Sequence, residues 1–192
     1  MSAGDHYIRP AFGFDGSYDD GSTLDQSNYE KRIPEYEAVL NSCLAELRLF
    51  MPAPEIQEVF TPGQEYEFYR AIKTILGFAS KEIFVIDPYI STEMFDTYAA
   101  AIPRTVSFRL LSSNIPGPVL SLAQKYAAGG NFQLRNSNLI HDRVLFADNR
   151  IWLCGQSIKD AAKKKPTYIV EHDESIMRPV YDDLWASANV II

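Results

Sequence analysis

The amino-acid sequence predicts a mixed α/β fold, in which helices cover both faces of a β-sheet and a separate helix precedes the domain. Three observations lead to this prediction. Short apolar runs typical of strands alternate with segments of helical period. Turn residues separate these segments, and an amphipathic helix closes the chain. With 192 residues and 46% apolar content, the chain is long enough to bury one ordinary core.

The chain divides into three predicted parts. Residues 1–28 are rich in Gly, Ser, Asp and Tyr without a period, which predicts a flexible tail. Residues 29–56 hold an N-terminal helix, with apolar positions at helical spacing up to Met51, and a proline-containing linker. The apolar stripe of this helix has two alternative packing partners, the main domain and the same helix of a second subunit. Residues 57–192 form the main domain.

The first half of the main domain begins with a helix and a buried strand. The segment Thr61-Pro62-Gly63-Gln64 has a capping-box pattern with proline at the first helical position, and it predicts a helix to about Ala79. The apolar run within 81–90 is typical of a strand that is covered on both faces. The next predicted elements are a helix near 92–102, a strand near 106–111, a helix near 117–128 and a strand near 132–135.

The second half contains two strands around a short connection at residues 148–150. These strands are predicted at 139–146 and 151–154. Read with period two from Leu139, the first of them places His141 and Arg143 on one face. A further strand is predicted at 168–170. A closing helix is predicted at 175–188, with Ile176, Val180, Leu184 and Trp185 facing inward.

His141 and Arg143 form a candidate anion site. An imidazole can attack phosphorus, while a fixed cation stabilises the oxygens that carry negative charge. Polar side chains next to each other on an otherwise apolar strand need a polar pocket. The alternative interpretation is a core histidine that is hydrogen-bonded to Asp148 or to the backbone, with Arg143 as a surface charge.

The spacing of His141, Arg143 and Asp148, followed by Gly155, resembles the His-x-Lys-x4-Asp signature of the phospholipase D superfamily. The chain has arginine where the family has lysine, and these two cations are not interchangeable at a tight phosphate site. Residues 156–160 do not supply the family's asparagine. A subset of phospholipase D-like proteins has instead the sequence His-Asp-Arg, followed later by Gly-x-Ser-Leu/Ile-Lys-Asp. Residues 141–143 and 155–160 are similar to this pattern. The resemblance covers roughly residues 57–192.

This resemblance implies a metal-independent phosphodiesterase without a cofactor, and in particular a nuclease. His141 would act as nucleophile and acid, and Asp148 or Glu171 would orient its imidazole. The implied catalytic residues are His141, Arg143, Asp148, Ser157, Lys159 and Glu171. The implied phosphate or substrate contacts are Arg143, Ser157, Lys159, Asp87 and Tyr89. For Asp87 and Tyr89, a turn aspartate and a packed tyrosine are the alternative interpretation.

The motif occurs once, whereas the family's reaction uses two histidines. His6 and His172 are not followed by a cation two positions on. The resemblance therefore implies a homodimer, in which His141 from both chains shares one site. The alternative is a catalytically inactive phospholipase D-like module that binds phosphate-containing ligands or mediates protein assembly. A regulatory or toxin-like subunit, which engages a protein partner through the N-terminal helix, is a third possibility.

The charge of the chain is distributed unevenly. Residues 104–166 carry ten lysines and arginines against three aspartates, a balance of +7, although the whole chain is at -7. This basic segment favours nucleic acid over a lipid surface as the partner, while Lys163-Lys164-Lys165 could equally be a solvated loop. The absence of a long apolar run and of a signal-peptide pattern predicts a cytoplasmic protein without a membrane partner. Cys43 and Cys154 are predicted to be reduced, packed thiols.

Overall fold

The computed structural model describes residues 32–43, 56–160 and 162–192. The described residues belong to two units, with 32–43 in the first and the remainder in the second. In the first unit, residues 32–43 form helix α1, and its apolar side chains and Cys43 are exposed. The packed environment predicted for Cys43 is not found within this unit. The predicted tail at 1–28, the predicted linker and the rest of the predicted N-terminal helix lie outside the described residues.

The second unit contains one mixed β-sheet. Its strands are β1 (Glu58–Phe60), β2 (Glu82–Ile86), β3 (Ser107–Ser112), β4 (Phe132–Asn136), β5 (Val144–Ala147), β6 (Arg150–Cys154), β7 (Thr167–His172) and β8 (Asn189–Val190). These eight strands are ordered β1-β7-β6-β5-β2-β3-β4-β8. The pairs β2–β3 and β3–β4 are parallel, and the other neighbours are antiparallel.

Helices cover both faces of this sheet. The helices are α2 (Glu65–Phe78), α3 (Gly117–Ala127) and α4 (Glu174–Ser187), with a short π-helical turn at Met94–Tyr98 and a 3₁₀ turn at Ala99–Ala101. Apolar side chains of α2 and α3 pack on one face, and those of α4 pack on the other. The predicted fold class, a mixed sheet between helices, is confirmed. No helix within the described ranges is long and apolar enough to cross a membrane.

Helix α2 begins later than the capping-box pattern predicted. The side-chain oxygen of Gln64 accepts hydrogen bonds from the Thr61 amide (2.7 Å) and hydroxyl (3.0 Å), which closes a turn before the helix. Gly63 lies within this turn at a φ of 94°, a conformation that glycine adopts without a steric penalty. The helix therefore starts at Glu65 and not at the proline.

Strand β5 also begins later than predicted, at Val144 and not at Leu139. Contacts with helix α4 keep the preceding segment out of the hydrogen-bonding pattern of the sheet. Ile140 is buried beside α4, and Asp142 accepts a hydrogen bond from the Tyr181 hydroxyl of α4 at 3.0 Å. His141 and Arg143 therefore precede the strand, and the common strand face predicted for them is wrong.

Candidate functional site

Polar residues converge at one edge of the sheet, which we call the site edge. Because β2, β3 and β4 are parallel, their carboxyl ends lie there together. The antiparallel pairs bring the amino ends of β5 and β7 and the carboxyl end of β6 to the same edge. The segments that follow or precede these strands therefore meet, although they are far apart in the sequence.

A buried carboxylate holds two of these segments together. Asp87, directly after β2, is 1% exposed. One of its oxygens accepts hydrogen bonds from the Ser157 hydroxyl (2.7 Å) and the Ile158 amide (3.0 Å), and the other accepts from the Tyr89 amide (2.9 Å). These charge-assisted bonds satisfy the buried charge and fix the segment after β6 against the segment after β2. Ser157 is also buried, so its hydroxyl anchors the site instead of donating to a phosphate as predicted.

Two cations lie beside the ring of Tyr89. The guanidinium carbon of Arg143 is 5.9 Å from the ring centroid, and the ammonium nitrogen of Lys159 is 5.8 Å from it. The structure thus brings together Arg143, Lys159 and Tyr89, three of the residues that were predicted as substrate contacts. The Nε atom of Arg143 is buried and has no hydrogen-bond partner among the described residues. The guanidinium also forms no ion pair with a described residue, so its terminal nitrogens are available to an anion.

An open cleft of about 720 Å³ lies next to Arg143. We call it the basic cleft. Its walls include Arg143 and the three consecutive lysines at 163–165, against one carboxylate, that of Asp160. Lys163 is partly engaged, because its ammonium group donates to the Lys159 carbonyl (2.8 Å) and lies 3.6 Å from a Glu93 oxygen. The excess of positive charge suits a phosphate-bearing ligand.

A second, smaller cleft of about 290 Å³ borders Tyr89 and Lys159. Its walls also include Ser91, Asn114 and Val119. Ser91 and Asn114 were not among the site residues predicted from the sequence. The signal that could have found Asn114 is its position just beyond the carboxyl end of β3, next to the position of Asp87 beyond β2.

The glycine of the motif is required by a close approach between β6 and β7. A Cβ atom at Gly155 would lie 2.8 Å from a ring carbon of Tyr168 and 3.1 Å from the Thr167 hydroxyl oxygen. The Gly155 amide donates to the Tyr168 carbonyl at 3.0 Å. Gly155 thus allows the backbone beside the basic cleft to lie directly against β7.

His141 lies at the site edge, on the connection between β4 and β5, and its side chain is exposed. It has no side-chain hydrogen bond to any residue that the structure describes, and it lines neither cleft. His172 is exposed at the carboxyl end of β7, at the opposite edge, and His6 lies outside the described residues. In the described part of the chain, no three His, Cys, Asp or Glu side chains group as metal ligands would.

The two carboxylates predicted to orient the imidazole are placed elsewhere. Asp148 follows β5 at the edge opposite His141, and its oxygens accept hydrogen bonds from the amides of residues 80–82. Glu171 forms a two-point ion pair with Arg150, with one N–O distance of 2.6 Å. Neither carboxylate contacts His141, so the prediction that they orient its imidazole is wrong. Their hydrogen bonds and ion pair stabilise the opposite edge of the sheet.

Cys154, at the end of β6, is a buried free thiol near Asp87. Burial raises the pKa of this thiol to about 12, and the Asp87 carboxylate adds to the increase. The thiol therefore stays protonated at neutral pH and is not a nucleophile of the site. The prediction of a reduced, packed cysteine is confirmed at this position.

We predict that Ser157→Ala destabilises the site edge. The substitution removes one donor from a buried carboxylate, which we expect to lower the free energy of unfolding by about 2 kcal/mol. Chemical denaturation of both proteins measures the difference. Ser121→Ala is the matched control, because its hydroxyl donates only to the Gly117 carbonyl of an exposed helical turn. Equal stabilities for Ser157→Ala and wild type would contradict the anchoring role.

No protein-family model matches this sequence, and no curated protein is similar to it at a significant level. Solved structures do share its fold. TrmBL2, described as an archaeal chromatin protein with a novel mode of DNA binding, has 18% identity and a TM-score of 0.53, over 86% of this chain and 68% of its own. NucT from Helicobacter pylori has 12% identity and a TM-score of 0.54, over 70% of this chain and 98% of its own.

A phosphatidylserine synthase from Haemophilus influenzae also matches, with 12% identity and a TM-score of 0.53, over 70% of this chain and 39% of its own. At these identities the comparisons show a common fold. The mixed sheet between helices is consistent with the phospholipase D-like fold that the motif predicted.

Proposed function

We propose that this chain binds the phosphodiester backbone of a nucleic acid in the basic cleft. The observation that carries the proposal is the Arg143 guanidinium, which lines the basic cleft and forms no hydrogen bond or ion pair with a described residue. Arginine presents a planar set of donors that matches phosphate oxygens at two points. A phosphate in the cleft would therefore supply acceptors for the terminal nitrogens of this side chain.

The surrounding charges support a ligand with several phosphates. Lys164 and Lys165 are exposed on the cleft wall, and neither forms an ion pair with a described residue. Such lysines can follow successive phosphates along a strand, while the acidic remainder of the chain limits non-specific binding. TrmBL2, a fold neighbour described as DNA-binding, is consistent with this choice of ligand.

The proposal is tested by the binding of a fluorescein-labelled oligonucleotide, followed by fluorescence anisotropy at several salt concentrations. Each phosphate contact lowers the logarithm of the association constant by about 0.7 per tenfold increase in salt for a single strand. We expect a slope that corresponds to about three or four contacts. An absence of binding at low salt, or a slope near zero, would overturn the proposal.

Phosphodiester hydrolysis is a second candidate function, and one observation favours it. His141 is exposed at the site edge, so the imidazoles of two copies could meet across a two-fold axis. One His141 would attack phosphorus and form a phosphohistidine, while the other would donate a proton to the leaving oxygen. The second imidazole would then take a proton from a water molecule, while this water attacks phosphorus and the bond to the first imidazole breaks. Binding remains the first proposal, because no described carboxylate orients His141.

We predict that, if the chain is a nuclease, His141→Ala abolishes cleavage of an end-labelled strand in EDTA while oligonucleotide binding persists. His172→Ala is the matched control, since this histidine is exposed at the opposite edge of the sheet. It should cleave like the wild type. Cleavage that survives in His141→Ala would rule out this mechanism. No cleavage by wild type would leave the chain as a binding protein.

A further inference from the structure

Tyr89 is an aromatic side chain that is exposed on a fixed backbone. Half of it is exposed, although the residues on both sides of it, Pro88 and Ile90, are buried. Its amide donates to Asp87 at 2.9 Å, and its carbonyl oxygen lies 3.2 Å from the Ser157 hydroxyl. It also pairs with Asn114 in an isolated parallel bridge. The ring is therefore held at the surface by the site itself.

The ring lies at the junction of the two clefts. Arg143, 5.9 Å from the ring centroid, lines the basic cleft, and Lys159, 5.8 Å away, lines the smaller cleft. A ligand that placed a phosphate at Arg143 would bring its neighbouring atoms to Tyr89. In a nucleic acid, the groups nearest a backbone phosphate are the sugar and the base that it carries.

The smaller cleft differs chemically from the basic cleft. Tyr89 supplies an aromatic surface, Val119 an apolar one, and Ser91 and Asn114 groups that donate and accept hydrogen bonds. Its volume of about 290 Å³ is at the lower limit for small-molecule sites. An aromatic wall with a few polar groups suits a flat heterocycle, which stacks on the ring and presents polar edges.

We infer that Tyr89 and the smaller cleft form a subsite for an unpaired nucleobase, so that the chain selects single-stranded nucleic acid. This inference rests on the proposed function, because the phosphate at Arg143 determines where the base lies. Bases inside a duplex are stacked on one another and cannot reach the ring. The basic cleft would then provide affinity, and Tyr89 would provide the preference for single strands.

The experiment compares two labelled ligands that carry the same phosphates: a short oligothymidine and an abasic strand of equal length. Wild type should bind oligothymidine more tightly, by roughly tenfold if one base stacks. Tyr89→Leu should remove this advantage, so that it binds the two strands with equal affinity. Tyr89→Phe retains the ring and should behave as wild type does.

The outcomes separate this inference from the proposed function. If wild type binds both strands equally, the base subsite is refuted while the phosphate site stands. The same holds if Tyr89→Leu weakens both ligands to the same extent, because the change then acts on the phosphate site. If wild type binds neither strand, the proposed function fails and the subsite fails with it. The equal-phosphate comparison in wild type needs no variant, so misfolding of Tyr89→Leu would not prevent a decision.

Discussion

Arg143→Ala is expected to weaken oligonucleotide binding tenfold to about a hundredfold without destabilising the protein. The lost affinity corresponds to about 1.5–3 kcal/mol, the usual contribution of hydrogen bonds to a charged group. The salt dependence of binding should decrease by about one phosphate contact. Folding should be unaffected, since the guanidinium forms no hydrogen bond or ion pair with a described residue and its Nε lacks an acceptor. Anisotropy titrations and thermal unfolding measure the two effects.

Two further variants test whether the loss of affinity in Arg143→Ala is specific to the arginine in the basic cleft. Arg143→Lys keeps the charge but loses the planar set of donors, so its affinity should lie between those of Arg143→Ala and wild type. Lys81→Ala removes an exposed cation from the opposite edge of the sheet and should bind as wild type does. If Lys81→Ala lowers affinity as much as Arg143→Ala, binding depends on overall charge and not on this cleft.

Asp148→Ala is expected to produce the largest loss of stability. The carboxylate accepts hydrogen bonds from the amides of residues 80–82, at 2.8–3.0 Å, and from the Ser80 hydroxyl at 2.8 Å. Alanine leaves these donors without their acceptor and must adopt a φ of 53°, which is unfavourable for it. We expect a loss of roughly 3–5 kcal/mol of unfolding free energy, measured by chemical denaturation.

The controls for Asp148 separate a structural role from a role at the site. Asp148→Asn keeps one acceptor oxygen and tolerates the positive φ, so it should lose less stability. Asp183→Ala removes an exposed aspartate of α4 and should be neutral. Below its unfolding temperature, Asp148→Ala should retain oligonucleotide binding. If Asp148→Ala is folded but fails to bind the oligonucleotide, Asp148 acts in binding as well as in stability.

Sequence patterns predicted the architecture because each element buries a recognisable face. The run that became β2 is buried along most of its length, and α2 buries an apolar stripe that includes Phe68, Ile72 and Ile75, whereas Tyr66 is exposed. The inward face of α4 was partly wrong. Ile176 and Val180 are exposed, because Tyr181 and Trp185 fill the space against the sheet. The short edge strands β1 and β8 were missed, since two or three residues carry no measurable period.

The residues of the candidate site were selected for a different reason. Arg143, Lys159 and Tyr89 were chosen from the resemblance to the phospholipase D motif, and the sheet topology brings the segments that carry them together. The roles of Asp148 and Ser157 could not be read from spacing, since they depend on partners about 70 positions away in the sequence. The motif therefore selects candidate residues, whereas the hydrogen-bond partner of each side chain is known only from the folded structure.

The decisive measurement is a crystal structure of the chain with a short single-stranded oligonucleotide. We expect a backbone phosphate in the basic cleft, with an oxygen at about 2.7–2.9 Å from the Arg143 guanidinium, the usual distance for such bonds. An oligonucleotide bound at another surface, with no phosphate at Arg143, would contradict this expectation.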